Sequence, residues 1–354
     1  MKIALITDTH AGIRNDSPII NDAMSIFYKE TFFPYLKDND IKTVVHLGDV
    51  FDRRKYINFV TLNRLHSDFL QPMQDMNLDV HIIAGNHDCF FKNTNGLNAL
   101  REIIDGKYPF HIYDKYATEV VFDDVPILLI PWICDDNREI TMRTVNETRS
   151  QIAFGHLELS GFEMYKGAGS SHGDDPVNFR RFDILCSGHY HHRSSIGSIH
   201  YLGSPCEFTW SDYADPKGFH IFDTETRELT FIENPNTIFD KIFYDDSDKV
   251  IDDIMAFNPT PYKDKYLKVI IKNKSNPYWF DLMIEKLDKV GVAEMQVVED
   301  HLNMNLEEDK DIVDEAEDTM TILKKYLNNM NSNTDKVRVE TIVRNLYNKA
   351  LSAD

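Results

Sequence analysis

Val80-His81-Ile82-Ile83-Ala84, followed at once by Gly85-Asn86-His87-Asp88, is the stretch on which the reading of this chain turns. An apolar, β-branched run that stops abruptly in Gly, Asn, His and Asp describes a buried strand whose end carries chemistry. The pattern recurs. Ile3–Ile6 runs into Asp8-Thr9-His10, Val44–Leu47 into Gly48-Asp49-Val50-Phe51-Asp52, and Ile184–Cys186 into Gly188-His189-Tyr190-His191. Gln151–Phe154 before Gly155-His156 is a weaker version. Ligands of open α/β folds bind at the carboxyl edge of the sheet, so these five segments are expected to meet there. Asp and Asn oxygens mixed with His nitrogens suit Mn²⁺, Fe or Zn²⁺ better than Ca²⁺ or Mg²⁺ alone.

Asp8 and His10 share a face, because residues two apart in an extended segment point the same way, and His189 and His191 do likewise. Asp49 is a single carboxylate able to bridge two metals. Asn86 supplies a neutral carbonyl oxygen and His156 an imidazole. These seven ligands, shared so that each metal receives about four, leave a position for solvent or substrate. Histidine on a strand is more often a satisfied core residue than a ligand. His46, His81, His111, His200 and His220 are therefore read as structural, as are His66, His172 and His301, which lack motif context.

The chain of 354 residues exceeds one comfortable core, so two or three units are expected. Residues 1–232 alternate helix and strand and then turn to strands. This predicts an α/β, two-layered β-sandwich flanked by helices. Helices are expected over Ile19–Leu36 and near Phe59–Met73, with Thr94 capping a helix over Leu97–Ile104. After a break at Asn234-Pro235-Asn236, strand Tyr266–Ile271, helix Tyr278–Leu287 and strand Glu294–Val298 predict a small α+β cap domain over 233–302. An acidic linker, 303–318, precedes 319–354. There Leu323 and Leu327, then Ile342 and Leu346, fall at helical spacing as a helix–turn–helix pair. Such a pair is a docking element for a partner, or packs on its own chain; periodicity is compatible with both.

Four scattered cysteines without a CxxC pair read as reduced thiols of a cytoplasmic protein. Met1–Ile6 is too short for a signal-peptide core, and no apolar run could span a bilayer. A net charge of −20 argues against nucleic acid, whose binding is dominated by Lys and Arg contacts to phosphate. Part of that excess is the local acidic segment, part lies in carboxylates that metals would neutralise, and Arg53-Arg54-Lys55, Lys92 and Arg180-Arg181 stand near the motifs.

DxH, GD, GNHD, a lone GH and GHxH in this order resemble the calcineurin-like metallophosphoesterase superfamily. The phrases GDVFD (48–52), AGNHD (84–88) and YLGSP (201–205) look most like the SbcD-type nuclease subunits of DNA repair and their bacteriophage recombination-endonuclease relatives. The resemblance covers about residues 1–232. The Ser/Thr phosphatase branch carries GDxVDRG and GNHE, whereas Asp52 is followed here by Arg53-Arg54, and Asp88 stands in place of the glutamate. Asp52 itself departs from nuclease relatives that carry histidine, and of the doubled His191-His192 only the first is taken as a ligand.

The resemblance implies that Asp8, His10, Asp49 and His191 hold one metal and Asp49, Asn86, His156 and His189 the other. His87 would stabilise the transition state or protonate the leaving oxygen, with Asp88 orienting it. Two metals about 3.5–4 Å apart would activate a bridging hydroxide for in-line attack. The implied function is that of a Mn²⁺-dependent DNA nuclease (Mg²⁺ or Fe²⁺ as alternatives), acting as exonuclease or endonuclease on ends, single strands or hairpins. It would work as a homodimer within a heterotetramer, beside a coiled-coil ABC-type ATPase docked on 319–354. Its place would be the cytoplasm, that of the host for a bacteriophage protein. No GxxxxGKS/T sequence occurs, so ATP hydrolysis by a P-loop is not expected of this chain. A small-molecule phosphodiesterase or phosphatase, and a non-catalytic scaffold for the ATPase, are the alternatives.

Overall fold

The structure is a computed structural model, described over residues 1–299. Two six-stranded sheets form its centre. The first runs, in spatial order, Leu229–Glu233, Gly218–Asp223, Lys2–Ile6, Thr43–His46, Asp79–Ile83 and His111–Tyr113. The second runs Ser194–Ile196, Ile199–Tyr201, Ile184–Gly188, Ile152–His156, Val125–Ile130 and Thr118–Phe122. In both sheets the central strands are parallel: Lys2–Ile6 with Thr43–His46, Thr43–His46 with Asp79–Ile83, and Ile184–Gly188 with Ile152–His156. Parallel strands side by side must end at the same edge, and that delivers the motifs to one place. A shared core of Ile3, Leu5, Val45, Leu47 and Ile83 from one sheet and Ile127, Leu129, Phe154 and Cys186 from the other joins the layers.

The helix expected over Ile19–Leu36 is a continuous rod with a π-helical middle, Pro18–Ile26, Phe27–Phe32 and Phe33–Asp38. The second, Phe59–Leu65, His66–Leu70 and Gln71–Asp75, repeats the arrangement. Each wide turn is followed by a proline one residue into the next segment, Pro34 or Pro72. Proline lacks the N–H that an α-helix would use there, and a widened turn relieves both the missing bond and the ring clash. The helix expected from Thr94 is shorter than predicted, Leu100–Ile104. Asn98 Oδ1 accepts from Arg101 N at 3.0 Å, while Thr94 Oγ1 accepts from Gly96 N and donates to Asp136. A different side chain took the helix start.

Among the described residues, 233–299 contain one strand more than expected. Phe239–Asp245, Tyr266–Asn273 and Glu294–Glu299 form a parallel three-stranded sheet, connected through helices Ile251–Ala256 and Pro277–Val290. Its own core is Tyr244, Leu267, Val269, Phe280, Met283 and Leu287. Glu207 ties its first strand to the sandwich by accepting from the backbone N–H groups of Ile238 and Phe239 at 2.6 and 3.0 Å. Ser17 Oγ and Tyr266 Oη meet at 3.0 Å. The acidic linker 303–318, the segment 319–354 with Leu323, Leu327, Ile342 and Leu346, and His301 all lie outside the described residues. Among the described residues all four cysteines are free and buried, and no helix is long and apolar enough to cross a membrane.

Candidate metal centre

The chain does not simply turn away where the first strands end. Past Lys2–Ile6 and Thr43–His46 the two loops continue side by side, with Asp8 N donating to Gly48 O at 3.0 Å and His10 N to Asp49 O at 3.1 Å. Ala11 N donates to Val50 O at 2.8 Å. This places Asp8 and His10 against Asp49. Non-glycine residues with positive φ are uncommon and cluster at functional sites. Asp8 (φ 51°), His10 (41°), Asp49 (54°) and His189 (92°) all adopt it here.

The structure brings all seven predicted ligands together in two groups that share Asp49. In the first, His10 Nε2 lies 3.8 Å from Asp8 Oδ1, 3.7 Å from Asp49 Oδ2 and 3.0 Å from His191 Nε2. In the second, His156 Nε2 lies 3.2 Å from Asp49 Oδ2 and 3.0 Å from Asn86 Oδ1, which is itself 2.9 Å from His189 Nδ1. Asp8, Asp49 and His156 form a buried floor, whereas His87, His189 and His191 are half-buried and form a rim reachable from solvent. Trp132 packs at 5.2 Å from the His189 ring, and Phe208 at 5.5 Å from that of His191.

The donor set fits a pair of divalent cations. His156 Nδ1 lies 2.8 Å from the Leu47 carbonyl, an arrangement that commits its proton there and turns Nε2 toward Asp49. His10 Nδ1 is buried with no hydrogen-bond partner among the described residues, and Asp52 Oδ1 stands 3.6 Å away, too far for one. The titration behaviour describes a well of negative potential. Burial disfavours charge on Asp8, yet the adjacent His10 and the nearby His156 and His191 bring it down to about 2. Burial likewise works against a charged His10, but Asp52, Asp8 and Asp49 raise it to about 10. Asp49 is held well below the carboxylate range despite burial, chiefly by His156 and His87. His189, by contrast, is pushed down to about 3 by burial and by His156.

His87 and Asp88 make other contacts than the pairing expected of them. Asp88 accepts from three backbone amides, Asp49 N at 2.9 Å, Gly85 N at 2.9 Å and Phe51 N at 3.1 Å, and so stitches the Asp49 and Asn86 loops together. Burial, reinforced by the charge of Asp49, pushes this carboxyl up to about 7. The His87 ring is oriented instead by the Asp52 carbonyl, 2.5 Å from its Nδ1, and its backbone N–H donates to Asp49 Oδ1 at 2.7 Å. Asp52, left without a role from sequence, forms a third cluster with His10 and His87. His192 turns away to Asp215, 3.0 Å from its Nδ1. Lys217 was not singled out from sequence; it is buried and donates to the His191 carbonyl at 2.7 Å while pairing with Asp212 and Asp215. Trp132 was also passed over, although it follows a strand that ends at the same edge as the motifs.

The glycines beside the ligands are close-approach positions. A Cβ on Gly85 would come within 2.2 Å of Asp49 Oδ1 and 2.4 Å of Asp49 N, and one on Gly188 within 2.0 Å of Thr7 Oγ1. Gly85→Ala is expected to cost at least the roughly 1–3 kcal/mol of an overpacked core, and to displace Asp49. Thermal unfolding with and without Mn²⁺ checks this: a lower melting temperature and a smaller Mn²⁺-induced rise are expected, and unchanged values contradict the packing argument.

Residues 1–193 match the family model described as calcineurin-like phosphoesterase. Exonuclease subunit 1 of Enterobacteria phage T4 is 33% identical over 343 residues, covering 96% of this chain and 95% of that protein. The SbcD component of the SbcCD nuclease of Staphylococcus epidermidis is 24% identical over 80% of this chain and 79% of its own length. The DNA double-strand break repair protein Mre11 of Sulfolobus acidocaldarius is 26% identical over 54% of this chain and 50% of its own length.

Proposed function

The chain belongs to the calcineurin-like phosphoesterase family, and on that footing we propose that it is the nuclease subunit of an SbcD/Mre11-type complex, cleaving phosphodiester bonds of DNA with Mn²⁺. One observation carries the reading: the buried Asp49 carboxylate stands between two clusters, its Oδ2 3.7 Å from His10 Nε2 and 3.2 Å from His156 Nε2, with the half-exposed His87 beside them. The relatives are a phage exonuclease subunit and a component of a bacterial nuclease. Their likeness supports DNA as the substrate over a small phosphodiester.

Asp8, His10, Asp49 and His191 would hold one cation, and Asp49, Asn86, His156 and His189 the other. When bound, such a pair neutralises charge on the phosphodiester and lowers the pKa of water at neutral pH. The protein's own groups do the rest. His87, its Nδ1 proton committed to the Asp52 carbonyl, presents Nε2 to protonate the departing 3′ or 5′ oxygen. Asp88 keeps the Gly85 and Asp49 loops in register so that this ring and the ligands hold their spacing. Arg53-Arg54-Lys55 directly follow the Asp49–Asp52 loop and would meet the flanking phosphates.

The proposed division is a nuclease domain at 1–232, a cap at 233–302, a linker at 303–318 and a docking segment at 319–354 for a coiled-coil ABC-type ATPase, in a heterotetramer built on a homodimer. Purified chain with Mn²⁺ is tested on linear duplex, single-stranded DNA and a model phosphodiester, with and without the ATPase. Cleavage of DNA is expected; turnover of the model diester alone would support the small-molecule reading instead. A chain ending before Asp318 is expected to cleave simple DNA substrates as the full chain does and to lose the ATPase in pull-down. Each Leu or Ile that the segment buries is worth about 1.5–3 kcal/mol before association costs. Retained binding would refute the docking assignment.

A further inference from the structure

At the opposite end of the strand that leads into Asn86, a second set of metal-type side chains converges. Asp79 and His81, two residues apart, lie on one face of Asp79–Ile83, and the parallel register sets His111, the first residue of the edge strand His111–Tyr113, directly beside His81. We propose that Asp79, His81 and His111 form a further cation site, separate from the phosphoesterase centre, that takes a single Zn²⁺.

The geometry is that of ligands waiting on an ion. His81 Nε2 is 3.1 Å from Asp79 Oδ2, and His111 Nε2 is 3.5 Å from Asp79 Oδ1. Donors about 2.0–2.2 Å from a tetrahedral zinc stand roughly 3.3–3.5 Å apart. The two imidazole rings are 4.7 Å apart, centre to centre. The decisive atom is His81 Nε2. The His81 side chain is only 6% exposed, and this nitrogen has no hydrogen-bond partner among the described residues, its approach to Asp79 being of the wrong geometry for one. Buried polar groups without a partner are rare and call for an explanation, an ion among them.

The surroundings supply the outer support that zinc-binding imidazoles use. Tyr113 Oη sits 2.9 Å from His81 Nδ1, and the Phe122 ring packs edge-on at 4.8 Å, fixing the imidazole plane. Asp79 and His111 are half exposed, at 52% and 59% of their side chains, which leaves an ion an entry path and a position for water. Two histidines and one carboxylate suit zinc and disfavour the hard ions Ca²⁺ and Mg²⁺. Bound there, zinc would clasp the three-residue edge strand to its neighbour.

The test compares chelator-stripped full-length chain with His111→Ala and Asp79→Asn, both at accessible positions, by metal analysis after equilibration in buffered Zn²⁺. Each variant is expected to retain one zinc fewer per chain than the parent, with unchanged circular dichroism and unchanged Mn²⁺-dependent cleavage. Tyr113→Phe keeps the ligands and is expected to weaken this one site by about 10–100-fold, the usual effect of losing an outer partner. Equal zinc content and equal affinity in parent and His111→Ala overturn the proposal. So does a loss of zinc accompanied by an equal loss of Mn²⁺-dependent cleavage, which would place that zinc in the phosphoesterase centre.

Discussion

Asp49→Ala is expected to strip both cations from the phosphoesterase centre and to lower DNA cleavage further than any other single change. The Asp49 carboxylate is the one group common to both ligand sets: Oδ2 stands 3.7 Å from His10 Nε2 and 3.2 Å from His156 Nε2, while Oδ1 accepts the His87 amide. Removing it leaves His10 and His156 without the negative charge that holds them, and frees the backbone that positions His87. The loss of one well-placed electrostatic group costs about 10²–10³-fold in rate. Here two cations and an orienting contact go together, so the loss is expected at or above the top of that range. Metal analysis after dialysis into Mn²⁺ decides the assignment. Two ions retained per chain would sink the bridging role, and loss of one with the other kept would place Asp49 on a single metal.

His87→Gln is expected to separate chemistry from metal binding. The side chain belongs to neither ligand group, its Nδ1 is committed to the Asp52 carbonyl, and its ring stands 4.9 Å from that of His10 at the half-exposed rim. Metal content and fold should therefore survive, while cleavage of DNA falls by about 10²–10⁴-fold, the span of general acid–base catalysis. An activated nitrophenyl phosphodiester, whose leaving group needs no proton, provides the sharper readout. The defect should shrink on that substrate if His87 is the acid. A defect equal on both substrates points to transition-state charge stabilisation instead, and a variant that loses metal makes His87 a ligand.

The candidate ligands and the edge on which they sit were legible because the signals are local. A buried strand writes itself as a short apolar run, and its end is written by Gly, Asp, Asn or His; Asp8, Asp49, Asn86, His156 and His189 each stand within three residues of such an end. The strand Phe239–Asp245 escaped notice because its half-buried pattern, with Asp240 and Lys241 inside it, lacks that apolar run. The helix Arg138–Glu147 was hidden similarly, since it buries only Thr141 and Val145.

Relations between motifs are another matter. Residue order alone put Asp88 next to His87, and adjacency suggested that one orients the other. The fold points the Asp88 carboxylate at three amides of two loops and hands the His87 ring to a carbonyl 35 positions earlier. His81 and His111 looked like two isolated strand histidines, because nothing in the chain announces that a parallel register sets them side by side above Asp79. The order of residues was enough to tell which side chains end buried strands, since strand burial and termination depend on a few neighbouring residues. The folded chain alone set Asp49 between His10 and His156, turned the His87 ring to the Asp52 carbonyl and left no room for a Cβ at Gly85 and Gly188. Those outcomes depend on strand register and loop contact between segments up to 181 residues apart, where an ångström separates a ligand from a bystander.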